Sequence, residues 1–426
     1  QIFGIDLFNT NSSFNTLICA KSGAGKSFLT CSIIDAYLGS GIIEYGLDEA
    51  KKLTDEKAYL NDGAQIFVID CGRSYENMCQ NYENAQFLEF GEDLMFSLDP
   101  FGSVNDFYGK EGQMNMVLSL LKSMASESGN LNDTQTAQMM IILCQLWDDK
   151  GQDSSITDYA VICKAHEDEE VNRIGIQLMP FTEGMPYGDF FGKKHPPVNF
   201  TGNLIVCELE ELGTQPHLQQ CVLMALINAA QHAMFMSGSE KRRLFILDEA
   251  WQFLKDKPGK VNYLAEFLEN GWRRFRKVNS SGIAVTQSLF DCYQTEAGRA
   301  IVTNSPWKML MMQEPETIES LKKDKAYDAT DAEFKLMKSV HTQKGQYSEI
   351  LVRCEGQMEI VKLFVDRKRQ LTYSTDPADR NAINRYIKLG HSRSQAIEQV
   401  YQDETDIKSP VQQESLSMEE AIEASR

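Results

Sequence analysis

Apolar residues fall along this chain in short unbroken runs, each ended by a polar or glycine-rich turn and followed by residues with helical spacing. Asn15 to Ala20 reads as a buried strand. A turn rich in glycine and serine follows. From Ser27 to Leu38 the residues Phe28, Ile33, Ile34, Tyr37 and Leu38 recur at helical intervals until Gly39 and Gly41 end the helix. A polar stretch rich in Asp, Glu and Lys, Glu44 to Asp62, then interrupts the alternation before "AQIFVID" supplies a second buried strand ending at Asp70. After it, "GRSYENMC" opens a helix or turn. Strand patterns resume at "NLIVCELEEL", "LFILD", "GIAVTQ" and "WKMLMMQ", with helices predicted over Gln215 to Met236 and Tyr263 to Arg276. Strands that are apolar throughout, alternating with helices, belong in a parallel sheet covered on both faces.

Between Asp106 and Pro197 the texture changes to Met- and Leu-rich helical segments such as "GQMNMVLSLLKSMA" and "TAQMMIILCQLW", which reads as a mostly helical insertion. Further on, "YSEILVRCEG" and "MEIVKLFVDR" pair as a hairpin around Glu355 and Gly356. From Asp376 the chain is polar and acidic, with helices through "PADRNAINRYIKLG" and "SRSQAIEQVYQ", and disorder is expected beyond Asp403. The predicted organisation is an α/β core in two parts, residues 1–103 and 200–374, with a helical insertion over 104–199 and a helical tail over 375–426.

With 61 acidic against 42 basic residues the formal charge is -19, so bulk attraction to nucleic acid or anionic lipid is not expected, although a local basic patch stays open. The ten cysteines are scattered through mostly apolar runs without a CxxC pair, as buried reduced thiols are. His217 and Cys221 stand one helical turn apart but lack a second ligand pair, so no metal site is expected there. No apolar run approaches the ~20 residues needed to cross a bilayer. The chain begins at Gln1 without an initiator Met, almost directly on a strand, which suggests a fragment with an upstream part.

The chemistry concentrates in "ICAKSGAGKSFLT". Ala20, four residues, then Gly25, Lys26 and Ser27 match the phosphate-binding loop pattern, with a small residue at a first position where glycine is commoner. Glycines allow successive backbone N–H groups to turn onto a phosphate. Lys26 would bridge the β- and γ-phosphates and the Ser27 hydroxyl would bind Mg²⁺ at the positive end of the following helix. Ser22, Gly23, Ala24, Gly25, Lys26, Ser27 and Phe28 are the expected nucleotide contacts. "RRLFILDEAW" supplies an apolar strand ending in Asp248 and Glu249, the first suited to the metal and the second to activating water. The two pieces are expected to meet at neighbouring strand ends around one magnesium-bound ATP. A carboxylate base suits a motor-type ATPase rather than a small GTPase.

Gln287, at the end of "AVTQS", is placed where an amide can sense the γ-phosphate, or is simply a polar strand end. In "GWRRFRK", Arg273, Arg274, Arg276 and Lys277 crowd a helix end. They either complement the helix dipole or offer an arginine, Arg273 or Arg276, to a neighbouring subunit's nucleotide. Asp70, Arg73 and Tyr75 follow the second strand at the carboxyl edge, where they either support the site or cap a helix.

Together, "FNTLICAKSGAGKSF", "FVIDCGRSYENMC", "LFILDEAWQFL", "ENGWRRFRK" and "AVTQS" resemble the TraC-type assembly ATPases of conjugative type IV secretion systems, relatives of the RecA-like FtsK and HerA motors. The resemblance implies a RecA-like P-loop fold and a cytoplasmic, oligomeric ATPase, with a hexameric ring expected, at the inner-membrane base of the secretion channel. It also implies energising of pilus biogenesis and substrate passage together with other secretion components. Members carry a domain ahead of the phosphate loop that is not in this sequence. The alternative is a DNA translocase or coupling-protein-like ATPase of the same superfamily, which would need DNA-contacting basic loops.

Overall fold

The structure is a computed structural model that describes residues 4–406, apart from 41–42, 48–52, 61–62, 92–93, 110–112, 128, 237–240, 250–267, 269–270, 273–274 and 325–326. Its strands are β1 (Thr16–Cys19), β2 (Ile43–Leu47), β3 (Leu53–Leu60), β4 (Gln65–Asp70), β5 (Ala85–Glu89), β6 (Leu204–Glu208), β7 (Arg243–Asp248), β8 (Ser280–Thr286), β9 (Trp307–Leu310), β10 (Thr342–Gln343), β11 (Tyr347–Cys354) and β12 (Gln357–Leu363). Ten of them form one sheet in the order β10-β11-β9-β1-β8-β7-β4-β6-β5, with β12 paired to β11. From β9 through β5 every pairing is parallel, while β10, β11 and β12 add an antiparallel edge.

The continuous apolar runs foretell this arrangement because both sheet faces are buried. Ile18, Ile66, Val68, Leu204, Leu244, Ile246, Ile283 and Val285 pack on one side against the helix α1 (Lys26–Leu38), which contributes Leu29, Cys31, Ile34 and Tyr37. On the other side Leu17, Phe67, Ile69, Ile205, Phe245, Leu247 and Ala284 meet the helix Pro216–Met236 and the helices of the insertion in a single apolar cluster. Each such side chain, when fully buried, contributes roughly 1.5–3 kcal/mol. The sheet, not any single polar contact, therefore fixes where the strand tips stand.

Residues 104–199 carry the helices Gln113–Ala125, Asp133–Lys150, Ile156–Lys164, Glu169–Leu178 and Gly188–Phe191. Asn132 starts the second of these with a reciprocal capping box to Gln135. His217 and Cys221 both turn to Ser123, the imidazole Nε2 lying 2.7 Å from its carbonyl oxygen. All ten cysteines are free thiols, buried or half-buried. Among the described residues no helix is long and apolar enough to cross a membrane.

Three features differ from the sequence reading. The polar stretch after α1 contains an antiparallel pair, β2 with β3, outside the main sheet. The last helix runs over 393–406, past Asp403, because Tyr386 donates to Asp403 at 2.6 Å and Arg367 holds Glu404 at 2.7 Å; residues 407–426 lie outside the described ones. Finally, the strand carrying Asp248 is not the neighbour of the strand before the phosphate loop, since β8 stands between them. Most of the helix expected over Tyr263 to Arg276 lies outside the described residues, although Gly271 and Trp272 are helical.

Candidate nucleotide-binding site

β1 ends at Cys19, and the loop that follows is tied to both neighbouring strand ends: the Ala20 amide donates to the Thr286 carbonyl at 3.1 Å and the Lys21 amide to the Met312 carbonyl at 2.9 Å. Gly23 and Gly25 have positive φ, +77° and +96°, and Gly25 is the N-cap of α1. A Cβ on Gly25 would lie 2.5 Å from Ser348 Oγ, so both backbone twist and close approach demand glycine there. No side chain caps this helix start, which leaves its first amides and the positive end of its dipole for an anion. The site's expected loop residues behave differently. Ser22, Gly23, Gly25, Lys26, Ser27 and Phe28 line a cavity of about 820 Å³, whereas Ala24 is buried and its carbonyl accepts from the Thr342 hydroxyl at 3.0 Å.

The two distant motifs meet in spite of the intervening strand. Lys26 Nζ lies 3.1 Å from Asp248 Oδ1 and in direct contact with Glu249 Oε1. Gln287, at the tip of β8, donates from Nε2 to the same Glu249 oxygen at 2.9 Å. The interposed strand thus supplies the amide that joins the two. Asp248 is completely buried, and its second oxygen accepts from the Tyr75 hydroxyl at 2.8 Å. Burial disfavours the charge on Lys26, but Asp248 and Glu249 outweigh it and raise its pKa, so the amine stays an ammonium ion. Burial raises Asp248 as well, with Lys26 and Tyr75 working against it. Glu249 has φ +57°, a left-handed conformation uncommon for a residue with a side chain, held where its amide donates to the Val285 carbonyl at 3.3 Å.

Two further carboxylates occupy the next strand tips, and only Asp70 was singled out in the sequence. Asp70, ending β4, accepts from the amides of Cys71 (2.9 Å) and Ser74 (2.6 Å). Glu208, ending β6, accepts from Gly72 (3.2 Å), Arg73 (2.7 Å) and Glu210 (2.8 Å). Both are buried, and burial raises both, reinforced at Asp70 by the nearby Asp248 and Glu208. Glu208 had a readable signal, an acid closing an apolar run in "NLIVCELEEL" just as Asp70 and Asp248 close theirs. Arg73 points outward to Glu89 at 2.5 Å and Glu211 at 3.1 Å.

The far wall of the cavity was not legible at all. It comprises the β10–β11 turn, Thr342 to Ser348, and the segment that leads into the tail, with Arg367, Gln370, Tyr373 and Asp379, more than three hundred residues from the phosphate loop. Tyr373 reaches α1 through its hydroxyl on Asp35 and its ring near Phe28. Arg276 stands elsewhere. It precedes β8 at the amino edge of the sheet, exposed, with its guanidinium 5.9 Å from the Phe14 ring, so it does not reach the cavity of its own chain. Arg273 and Arg274 lie outside the described residues.

Ser27 lines the cavity and Asp248 meets Lys26 at its wall, and a hydroxyl and a carboxylate are hard oxygen donors of the kind Mg²⁺ takes together with phosphate oxygens. Ser27 and Asp248 are the residues that would hold it. Among the described residues no group of three His, Cys, Asp or Glu side chains is placed to hold a metal ion.

Comparison with known proteins agrees with this architecture. Protein TraC of Escherichia coli (strain K12) is 26% identical over 422 residues, covering 94% of this chain and 44% of that protein, so the chain spans less than half of that relative's length. The structure of VirB4 of Thermoanaerobacter pseudethanolicus matches with a TM-score of 0.64 at 18% identity, over 85% of this chain and 93% of that one. The bacterial conjugative coupling protein TrwB matches at 0.53 and 10% identity, over 83% and 84%. These two likenesses establish the fold. A family model described as the TraG P-loop domain covers residues 53–404. With the phosphate loop, the strand-tip acids and the parallel sheet in place, the chain belongs to the TraG P-loop domain family.

Proposed function

We propose that this chain is the ATP-hydrolysing part of a conjugative type IV secretion motor, energising pilus assembly and substrate transfer across the cell envelope. The observation that carries the proposal is the Lys26 ammonium ion held between Asp248 and Glu249, with Gln287 on Glu249, at the wall of a cavity large enough for a nucleotide. The identity with TraC over most of the chain supports the secretion assignment.

In this reading the free N–H groups at the start of α1 receive the phosphates and Lys26 moves from the acids onto them. Magnesium, when bound by Ser27 and Asp248, supplies charge neutralisation on the phosphate oxygens. Released from Lys26, Glu249 takes a proton from the attacking water, and Gln287 reports whether that carboxylate is engaged. Catalysis is then mainly positioning and charge stabilisation. Arg276 lies at the amino edge of the sheet, and in this reading Arg276 or Arg273 completes the site of an adjacent subunit in a ring, expected to be hexameric. The assembly works on the cytoplasmic face of the inner membrane with other secretion components.

Two variants test this. Lys26→Ala abolishes nucleotide binding. Glu249→Gln binds ATP as the parent does but loses about 10²–10⁴-fold in turnover, as removal of a general base does. Phosphate release measured beside nucleotide binding decides, and a fully active Glu249→Gln protein removes that residue from the mechanism.

The likeness to TrwB favours one second reading, a DNA translocase of the coupling-protein kind. Double-stranded DNA would then stimulate ATP turnover in a salt-dependent manner. With a net charge of -19 the expected result is no stimulation.

A further inference from the structure

We propose that Tyr75 is a positioning residue for Asp248, fixing through a buried hydrogen bond which oxygen of the metal-binding carboxylate faces the nucleotide. The inference rests on the reading of Asp248 as a magnesium ligand.

Tyr75 and Asp248 are both completely buried, and the phenol donates to Oδ2 at 2.8 Å while Oδ1 faces Lys26 at 3.1 Å. A carboxylate with one oxygen tied in this way cannot turn about its terminal bond. Without the tie, Oδ2 would be a buried acceptor with no donor, and the two oxygens would compete for the place beside Lys26.

The phenol is itself held from two further strand tips. Asp70 and Glu208 between them accept from the amides of Cys71, Gly72, Arg73 and Ser74, the whole turn that leads from β4 to Tyr75. Arg73 takes φ +53° within this turn. A single bridge therefore links the acids ending β6 and β4, through Tyr75, to the acid ending β7. Partners that orient a metal ligand in this manner set metal affinity, typically by about 10–100-fold. Packing alone would not need the hydroxyl, since Phe would fill the same space.

Tyr75→Phe in the full chain tests this. Mn²⁺ binding in the presence of a non-hydrolysable ATP analogue is followed by electron paramagnetic resonance, and analogue affinity is measured with Mg²⁺ and with EDTA. The expected result is metal affinity weaker by about tenfold or more, with analogue affinity in EDTA unchanged and the apo melting temperature lowered only as far as one lost buried hydrogen bond requires. Unchanged metal affinity overturns the proposal. So does an equal loss of analogue affinity with and without metal, which marks Tyr75 as a packing residue. If Tyr75→Phe proves too unstable to assay, a cycle with Asp248→Asn at lower temperature serves instead. The double variant is expected to lose no more metal affinity than Asp248→Asn alone, and additive losses overturn the proposal. Parent protein whose analogue binding ignores metal sinks the underlying assignment of Asp248, whereas a metal-dependent parent with an unaffected Tyr75→Phe sinks only the role of Tyr75.

Discussion

Gly25 combines two constraints at one position: φ of +96° and a missing Cβ that would stand 2.5 Å from Ser348 Oγ and 3.3 Å from Met311 Cε. Gly25→Ala is expected to cost about 1–3 kcal/mol of stability and to weaken nucleotide binding. Adding Ser348→Ala should restore only part, because it removes the clash and leaves the backbone strain. Denaturant unfolding of the single and double variants measures both terms. Asp99 offers a pH test away from the nucleotide. It is almost fully buried, accepts from the amides of Phe101 and Gly102, and burial pushes its carboxyl to about 6 despite Lys193. The folded protein thus keeps a proton that the unfolded chain has released, so this group costs stability progressively as pH rises from about 4 to about 6. Asp99→Asn lacks that loss. Its stability relative to the parent should climb across this window by up to ~3 kcal/mol, read from melting curves at a series of pH values.

At the scale of elements, the C-terminal helices pack a small core of Leu371, Ile383, Ala396, Ile397 and Val400 and are also tied by charge. Arg367 pairs with Asp379 and Glu404, both at 2.7 Å, joining three helical segments through one guanidinium. Arg367→Ala leaves two half-buried carboxylates without their cation, and the tail helices are expected to open locally, with limited proteolysis cutting them faster while the sheet stays resistant. The strands and α1 were legible because their buried runs and helical spacing are local. The β10–β11 turn and the tail were not legible as walls of the cavity. Nothing in "HTQKGQYSE" or "RKRQLTYSTDPAD" signals a partner more than three hundred residues earlier. The strand β8 was read from "GIAVTQ", but its place between β1 and β7 was not, since strand order depends on how helices pass over the sheet and no single strand records it.

For the whole molecule, Arg276 at the amino edge of the sheet means that a complete site requires a second subunit if that arginine takes part. Turnover per subunit is then expected to rise with protein concentration, and Arg276→Ala to lower turnover at high concentration without changing nucleotide affinity. Sizing with and without a non-hydrolysable ATP analogue, alongside a concentration series of phosphate release, measures this, and flat turnover per subunit would assign the site to a single chain.

The sequence by itself determined the parallel sheet, the phosphate loop and the acids at the strand tips, since each is written in contiguous residues whose spacing and polarity have few alternative structures. Only the tertiary structure decided that Gln287 lies between the two motifs, that Tyr75 rather than a neighbour holds Asp248, that Glu208 braces the turn, and that the tail closes the cavity. Those contacts join residues from 38 to more than 300 positions apart, and which of many such pairings forms is settled by the packing of the whole core and not by any local pattern.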